Sequence, residues 1–180
     1  MTWSQIARRI RVPLGFAFAV LYLWLARPTA LSIAIGAIIA LVGVLIRAVA
    51  SGHITKNSEL TTSGPYAYTR NPLYLGSIVI AVGFAVAALS LLVVIVVIAF
   101  FVAVYIPVIL SEEDFLRSRF PAFDAYAREV PRLLPRFGHR TASSGSFSRD
   151  RYFQHREYNA LIGTAVMIAA LVVKLLWAGR

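Results

Sequence analysis

From Leu91 to Leu110 the chain runs for twenty residues without a charge, and this run limits the folds open to it more than any other feature. A helix of that length spans about 30 Å, the hydrocarbon thickness of a bilayer. Four more apolar segments, Val12 to Ala26, Leu31 to Ala50, Pro72 to Leu89 and Ala160 to Trp177, come near the same length. With 59% hydrophobic residues and a mean hydropathy of +0.73, the 180-residue chain carries more apolar surface than one soluble core can hide. Lipid offers no partner for backbone amides, so each span must be a helix. The expectation is an all-α integral membrane bundle of five transmembrane helices with short cytoplasmic surface helices.

The first segment follows Arg8, Arg9 and Arg11 and is the shortest, which gives it some likeness to a signal peptide. No small-residue cleavage site follows it cleanly, because Arg27 and Pro28 come directly after Ala26, so it reads as a retained helix. The net charge of +10 does not point to nucleic acid, since the basic residues are not interleaved with aromatics on one soluble face. They sort by side instead. With a cytoplasmic N-terminus, Arg8, Arg9, Arg11, Arg47, Lys56, Arg70 and the arginines from Arg117 to Arg156 lie inside, leaving Arg27, Lys174 and Arg180 outside. That orientation expects a multi-pass protein of a bacterial inner membrane, its basic face held against membrane lipids. Cysteine is absent, and His53, His139 and His155 lack a helical two-ligand spacing, so no metal site is expected.

In the second span Gly36, Ala40 and Gly43 share a face that lets a neighbouring helix approach closely, and Arg47 continues that face to the cytoplasmic end, where snorkelling is its simplest role. Only Ala88 to Leu91 are available to turn the third span into the fourth, so these form a tight hairpin whose two ends open to the cytoplasm. Downstream, Leu116, Phe120, Phe123, Ala127 and Val130 recur at helical spacing, with Ser111 expected as N-cap and Asp114 as its capping-box acid. Pro121 should split this helix in two. Residues 1–137 are thus expected as the membrane-embedded core, 138–159 as a cytoplasmic linker with Ser/Gly-rich Thr141 to Ser148, and 160–180 as a C-terminal transmembrane helix.

Two polar clusters meet at the open end of the hairpin. The loop from Leu60 to Gly76 reads LTTSGPYAYTRNPLYLG: Gly64 permits close backbone approach, Pro65 fixes a turn, and Pro72 suits the first turn of the third helix. Arg70 stands at that helix's positive end, where an anion is favoured. The second cluster is Ser111, Glu112, Glu113 and Asp114. Taken singly, the glutamates could be first-turn charges, the tyrosines interfacial belt residues and Arg70 one more inside charge.

Taken together, Gly64-Pro65-Tyr66, Arg70-Asn71-Pro72, Tyr74 and Gly76, followed by Glu112-Glu113, Leu116, Phe120, Tyr126, Val130-Pro131 and Leu134-Pro135, resemble the isoprenylcysteine carboxyl methyltransferase and phospholipid methyltransferase superfamily over roughly Ile46 to Phe137. The resemblance implies a cytoplasmic pocket for S-adenosyl-L-methionine that a lipid-like or prenylated acceptor reaches from the bilayer. It implies cofactor contacts at Leu60, Gly64, Pro65, Tyr66, Arg70, Asn71, Tyr74, Glu112 and Glu113, with Arg70, Asn71 and Glu113 nearest the chemistry. Arg70 suits the cofactor carboxylate, a glutamate its ribose or amino group, and Tyr66 and Tyr74 its flat surfaces. Asn71 and Ser58 replace histidines found in relatives, and asparagine cannot titrate near neutrality. Carboxyl O-methylation of an isoprenylcysteine-type substrate is the first expectation and phospholipid amine N-methylation the second. A non-catalytic membrane scaffold is the reading from another class; sterol reductases, also similar, are longer. The final helix is left to form a homodimer or to wall the lipid entrance.

Overall fold

The computed structural model describes residues 15–54, 59–136 and 145–178; Arg8, Arg9, Arg11, Lys56, Ser58, His139 and the start of the Ser/Gly-rich segment lie outside them. The described residues form helices and no strands: α1 Gly15–Leu25, α2 Ala30–His53, α3 Pro72–Ala88, α4 Leu91–Arg119, α5 Phe123–Glu129, α6 Arg149–Gln154 and α7 Tyr158–Ala178. A short 3-10 turn, Gly64–Ala67, precedes α3. α2, α4 and α7 are long and apolar enough to cross a membrane, while α1 and α3 are apolar but shorter. The 17 residues of α3 reach about 26 Å.

α2 and α3 run against each other through small residues on both sides. A Cβ on Gly43 would fall 2.6 Å from the Gly76 carbonyl oxygen and 2.7 Å from the Ile80 amide, and one on Gly83 would lie 2.6 Å from the Gly36 carbonyl oxygen. Ala40 and Ala87 are fully buried between them. Backbone contact of this kind supplies the dispersion attraction that a lipid solvent does not otherwise provide. Gly43→Leu is therefore expected to cost about 2–3 kcal/mol and to lower the midpoint of thermal unfolding in detergent by about 5–10 °C. An unaltered midpoint would show that the two helices do not meet here.

At one end of the bundle all five apolar helices converge on Tyr22, Ala26, Ile33, Ala87, Val93 and Leu171. Thr29 and Ser32 cap α2 reciprocally, and the Ser32 hydroxyl also donates to the Ala87 carbonyl at 3.0 Å. Lys174 of α7 donates to the last carbonyls of α1, those of Leu23 and Trp24. The α3–α4 turn needs only Leu89, in the left-handed region (φ 47°), and Ser90.

The other end differs from expectation. α4 does not stop near Leu110: it continues through Ser111, Glu112 and Glu113 to Arg119. Ser111 is therefore interior to a helix and not its N-cap, and Asp114 pairs with Arg117 at 3.0 Å instead of closing a capping box. The reason is local. Nothing before Ser111 breaks the helix, and a cap requires a non-helical residue at that position. A π-helical turn, Phe101–Tyr105, lies just ahead of Pro107 and widens the helix where the proline ring would press on the preceding turn. Pro121 does end the rod, with Phe120 extended and α5 starting at Phe123. Phe123, Tyr126 and Val130 then pack with Leu116, Phe120, Ala127 and Leu60, the apolar face expected from the spacing. Within 138–159, the described part carries α6 docked on the end of α2, where Ser148 donates its amide to the Gly52 carbonyl at 2.9 Å.

Candidate functional site

The two polar clusters of the sequence are tied by a strap. After α5 the chain runs back beside the loop that leads into α3: Arg70 donates its amide to Pro131, Arg136 to Tyr68, and the Thr69 hydroxyl donates to Arg132, at 2.9, 3.0 and 3.1 Å. Pro65 closes the turn below them, its carbonyl accepting from the amides of Tyr68 and Thr69. Gly64 takes φ +58° where a Cβ would meet the His53 ring. A side chain at that position would lift the loop off α2.

Glu113 is the hub. It is 2% exposed, and three groups converge on its carboxylate. The Asn71 amide donates to one oxygen at 2.9 Å, while Arg132 reaches the other at 2.9–3.0 Å and Arg70 at 3.7 Å. Asn71 stands as N-cap of α3 without a side-chain bond to its own helix, because that side chain is turned to Glu113 and to the Arg132 carbonyl. A buried carboxylate is tolerable only with such compensation.

Beside this hub lies a cavity of about 460 Å³, within the range of small-molecule sites, roughly 300–1,000 Å³. Arg70, Asn71, Tyr66, Glu112, Glu113 and Leu60 all line it, together with Glu59, Thr61 and an apolar wall that includes Ile54, Phe115, Leu116 and Phe123. Gly64 and Pro65 shape the loop without reaching the lining. Tyr74 is also absent from the lining; it stands edge-on to Tyr105, ring centroids 5.7 Å apart, beside Val104 and Val108. Of the lining from Phe115 to Tyr126, Leu116 and Phe123 were legible as part of an apolar helical face and Tyr126 only through the resemblance, while Phe115 was not legible.

Two buried polar atoms here have no partner: the Tyr66 hydroxyl and Arg70 Nε. Burial raises the Tyr66 phenol well above its ordinary value, with Tyr126, Glu157 and Glu112 adding to the shift and Arg47 opposing it. It therefore stays protonated through the physiological range. Tyr126 is also raised by burial, and its hydroxyl donates to the Tyr66 carbonyl at 2.7 Å. Unpaired buried polar atoms cost free energy unless something else completes them. Arg70, Tyr66 and Glu112 in the lining of a cavity of this size fit a ligand carrying a carboxylate, hydroxyls and a cation, as S-adenosyl-L-methionine does. Among the described residues no three His, Asp or Glu side chains gather as a metal site.

The phospholipid methyltransferase family matches residues 31–122, just over half of the chain. Over 81 residues the chain is 42% identical to the cobalt-zinc-cadmium resistance protein CzcN of Cupriavidus metallidurans, covering 45% of this chain and 38% of that protein. Over 101 residues it is 38% identical to the nickel-cobalt-cadmium resistance protein NccN of Alcaligenes xylosoxydans xylosoxydans, covering 53% of this chain and 47% of that protein. The chain thus spans less than half the length of these curated relatives. No solved structure matches it.

Proposed function

The chain belongs to the phospholipid methyltransferase family, and on that premise we propose that it transfers a methyl group from S-adenosyl-L-methionine to a lipid-like acceptor at the cytoplasmic face of a membrane. The observation that carries this reading is the cavity at the meeting of the Arg70-Asn71 and Glu112-Glu113 clusters, lined by Tyr66 and Arg70, each of which keeps one buried polar atom without a partner. In this reading all five apolar helices cross a bacterial inner membrane with the N-terminus inside. The arrangement of charge supports that orientation: Arg27 and Lys174 belong to the end with the α3–α4 turn, and the described arginines from Arg47 to Arg156 to the end with the cavity.

When bound, S-adenosyl-L-methionine supplies an electrophilic sulfonium methyl group. The chain's own residues then have separable tasks. Arg70 holds a carboxylate, Glu112 a hydroxyl or ammonium group, and the Tyr66 ring a flat surface. The wall of Ile54, Phe115, Leu116 and Phe123 keeps water away from the reacting centre and receives the apolar part of the acceptor. Glu113, with both oxygens engaged, serves with Asn71 to fix the geometry.

The charge of the lining favours an amine acceptor over the carboxylate first expected. Glu59, Glu112 and Glu113 face the cavity against one guanidinium, Arg70, and Arg132 covers only Glu113. An ammonium head group is attracted to such a site, and Glu59, the lining carboxylate not assigned to the cofactor or the hub, can accept the proton it must lose before nitrogen acts as a nucleophile. The purified protein in nanodiscs, given labelled S-adenosyl-L-methionine and separate panels of aminophospholipids, fatty acids and prenylated thiols, is expected to label the aminophospholipids. Labelling of a prenylated carboxylate instead would reverse the acceptor assignment. No binding of S-adenosyl-L-methionine at millimolar concentration would favour a membrane scaffold.

A further inference from the structure

Arg47 does not snorkel to the surface. Its guanidinium forks onto Glu157, Nε to one carboxylate oxygen at 3.0 Å and one terminal nitrogen to the other at 2.9 Å. Its remaining nitrogen donates to the Leu73 carbonyl at 3.2 Å and to the Ser77 hydroxyl at 2.6 Å. Both partners lie in the first two turns of α3, directly after Arg70 and Asn71. The stem of Arg47 lies on Gly76, where a Cβ would come 2.6 Å from its Cγ. Arg47 and Glu157 side chains are 22% and 11% exposed, so the pair is largely shielded from solvent.

Glu157 immediately precedes α7, the last apolar helix, and is itself held in place from several sides. α6 caps the end of α2: Ser148 donates to Gly52, Arg151 to His53, and the His155 ring meets the Ile54 carbonyl oxygen at 3.4 Å. Three successive carbonyls that a helix C-terminus leaves open are thereby covered, and Ile54 lines the cavity. A segment with the composition of a linker is built as a brace between α7 and the site.

We infer that Glu157, acting through Arg47, is a positioning residue for the cofactor site: it fixes the first two turns of α3 and thereby sets the aim of Arg70 and Asn71. The inference rests on reading the cavity as the site for S-adenosyl-L-methionine. It gives the last helix a task inside the protomer and extends the working unit beyond residue 122, where the family match ends.

The test uses the full chain in nanodiscs, with Glu157→Gln, Ser77→Ala and the double variant. Glu157→Gln is expected to weaken S-adenosyl-L-methionine binding about tenfold and Ser77→Ala about threefold, with the double variant also near tenfold because both act through Arg47. Amide exchange at the start of α3 should quicken in Glu157→Gln while α4 is unchanged. Thirtyfold loss in the double variant, or a lowered thermal midpoint with unaltered affinity and exchange, would overturn positioning in favour of a merely structural pair. If the unmodified protein does not bind S-adenosyl-L-methionine, the cofactor reading fails separately. Exchange then decides alone, faster in α3 supporting the brace and unchanged rejecting it. Should Glu157→Gln not fold, Ser77→Ala decides, since it leaves the ion pair intact: a threefold loss supports the inference and none refutes it.

Discussion

Glu113→Ala is expected to cost about 3 kcal/mol of stability and to remove cofactor binding altogether. The carboxylate is the common partner of Asn71, Arg132 and Arg70, and its removal takes a bond from each of them. The Arg70 guanidinium, 12% exposed, is left with little water to replace it, whereas Asn71 keeps its bond to the Arg132 carbonyl and Arg132, 47% exposed, can turn to solvent. Hence the cost is set by the buried side of the hub and stays below that of a fully enclosed pair. Glu113→Gln should do less harm, because its amide oxygen can still accept from Asn71, but it offers Arg132 no charge. Thermal unfolding in detergent and calorimetric titration with S-adenosyl-L-methionine, made on both variants, would check the order. Equal midpoints for Ala and the unmodified protein would mean that the hub does not bear on the fold.

That Glu113 and not Glu112 is the hub could not be read from the sequence. Neighbours on a helix differ by about 100° in direction, so two adjacent glutamates cannot both point at Asn71. Choosing between them requires the rotation of α4, and this was obscured because Ser-Glu-Glu-Asp has the composition of a helix start. The signs that act within a few residues were legible: the small-residue face of Gly36, Ala40 and Gly43, the proline at the head of α3, a tight turn within Ala88 to Leu91, and the break at Pro121. The cavity-lining Leu60, Tyr66, Arg70, Asn71, Glu112 and Glu113 were legible as a pair of clusters, since a tight hairpin brings its two open ends together. Tyr74 was not, because the turn of α3 carries it round toward Tyr105. Arg47 and Glu157 are 110 residues apart, and no local pattern joins them.

Arg70→Ala is expected to weaken binding of S-adenosyl-L-methionine by at least about a hundredfold, equivalent to about 2.7 kcal/mol, and to leave the fold nearly intact. The asymmetry with Glu113 follows from how each is held. Arg70 approaches Glu113 at 3.7 Å, its Nε has no partner, and its amide bond to Pro131 does not involve the side chain. Removing that side chain leaves Glu113 still joined to Asn71 and Arg132, so the hub survives. A guanidinium held near its place yet incompletely bonded is a prepared donor for a planar carboxylate, which it can meet with two parallel hydrogen bonds. Lysine keeps the charge but not the fork, so Arg70→Lys should fall between, with a loss of about tenfold. Calorimetry on the three proteins, each shown by its thermal midpoint to be folded, separates a ligand group from a structural one. Undiminished affinity in Arg70→Ala would remove this residue from the site, while a midpoint lowered as far as in Glu113→Ala would place it in the hub.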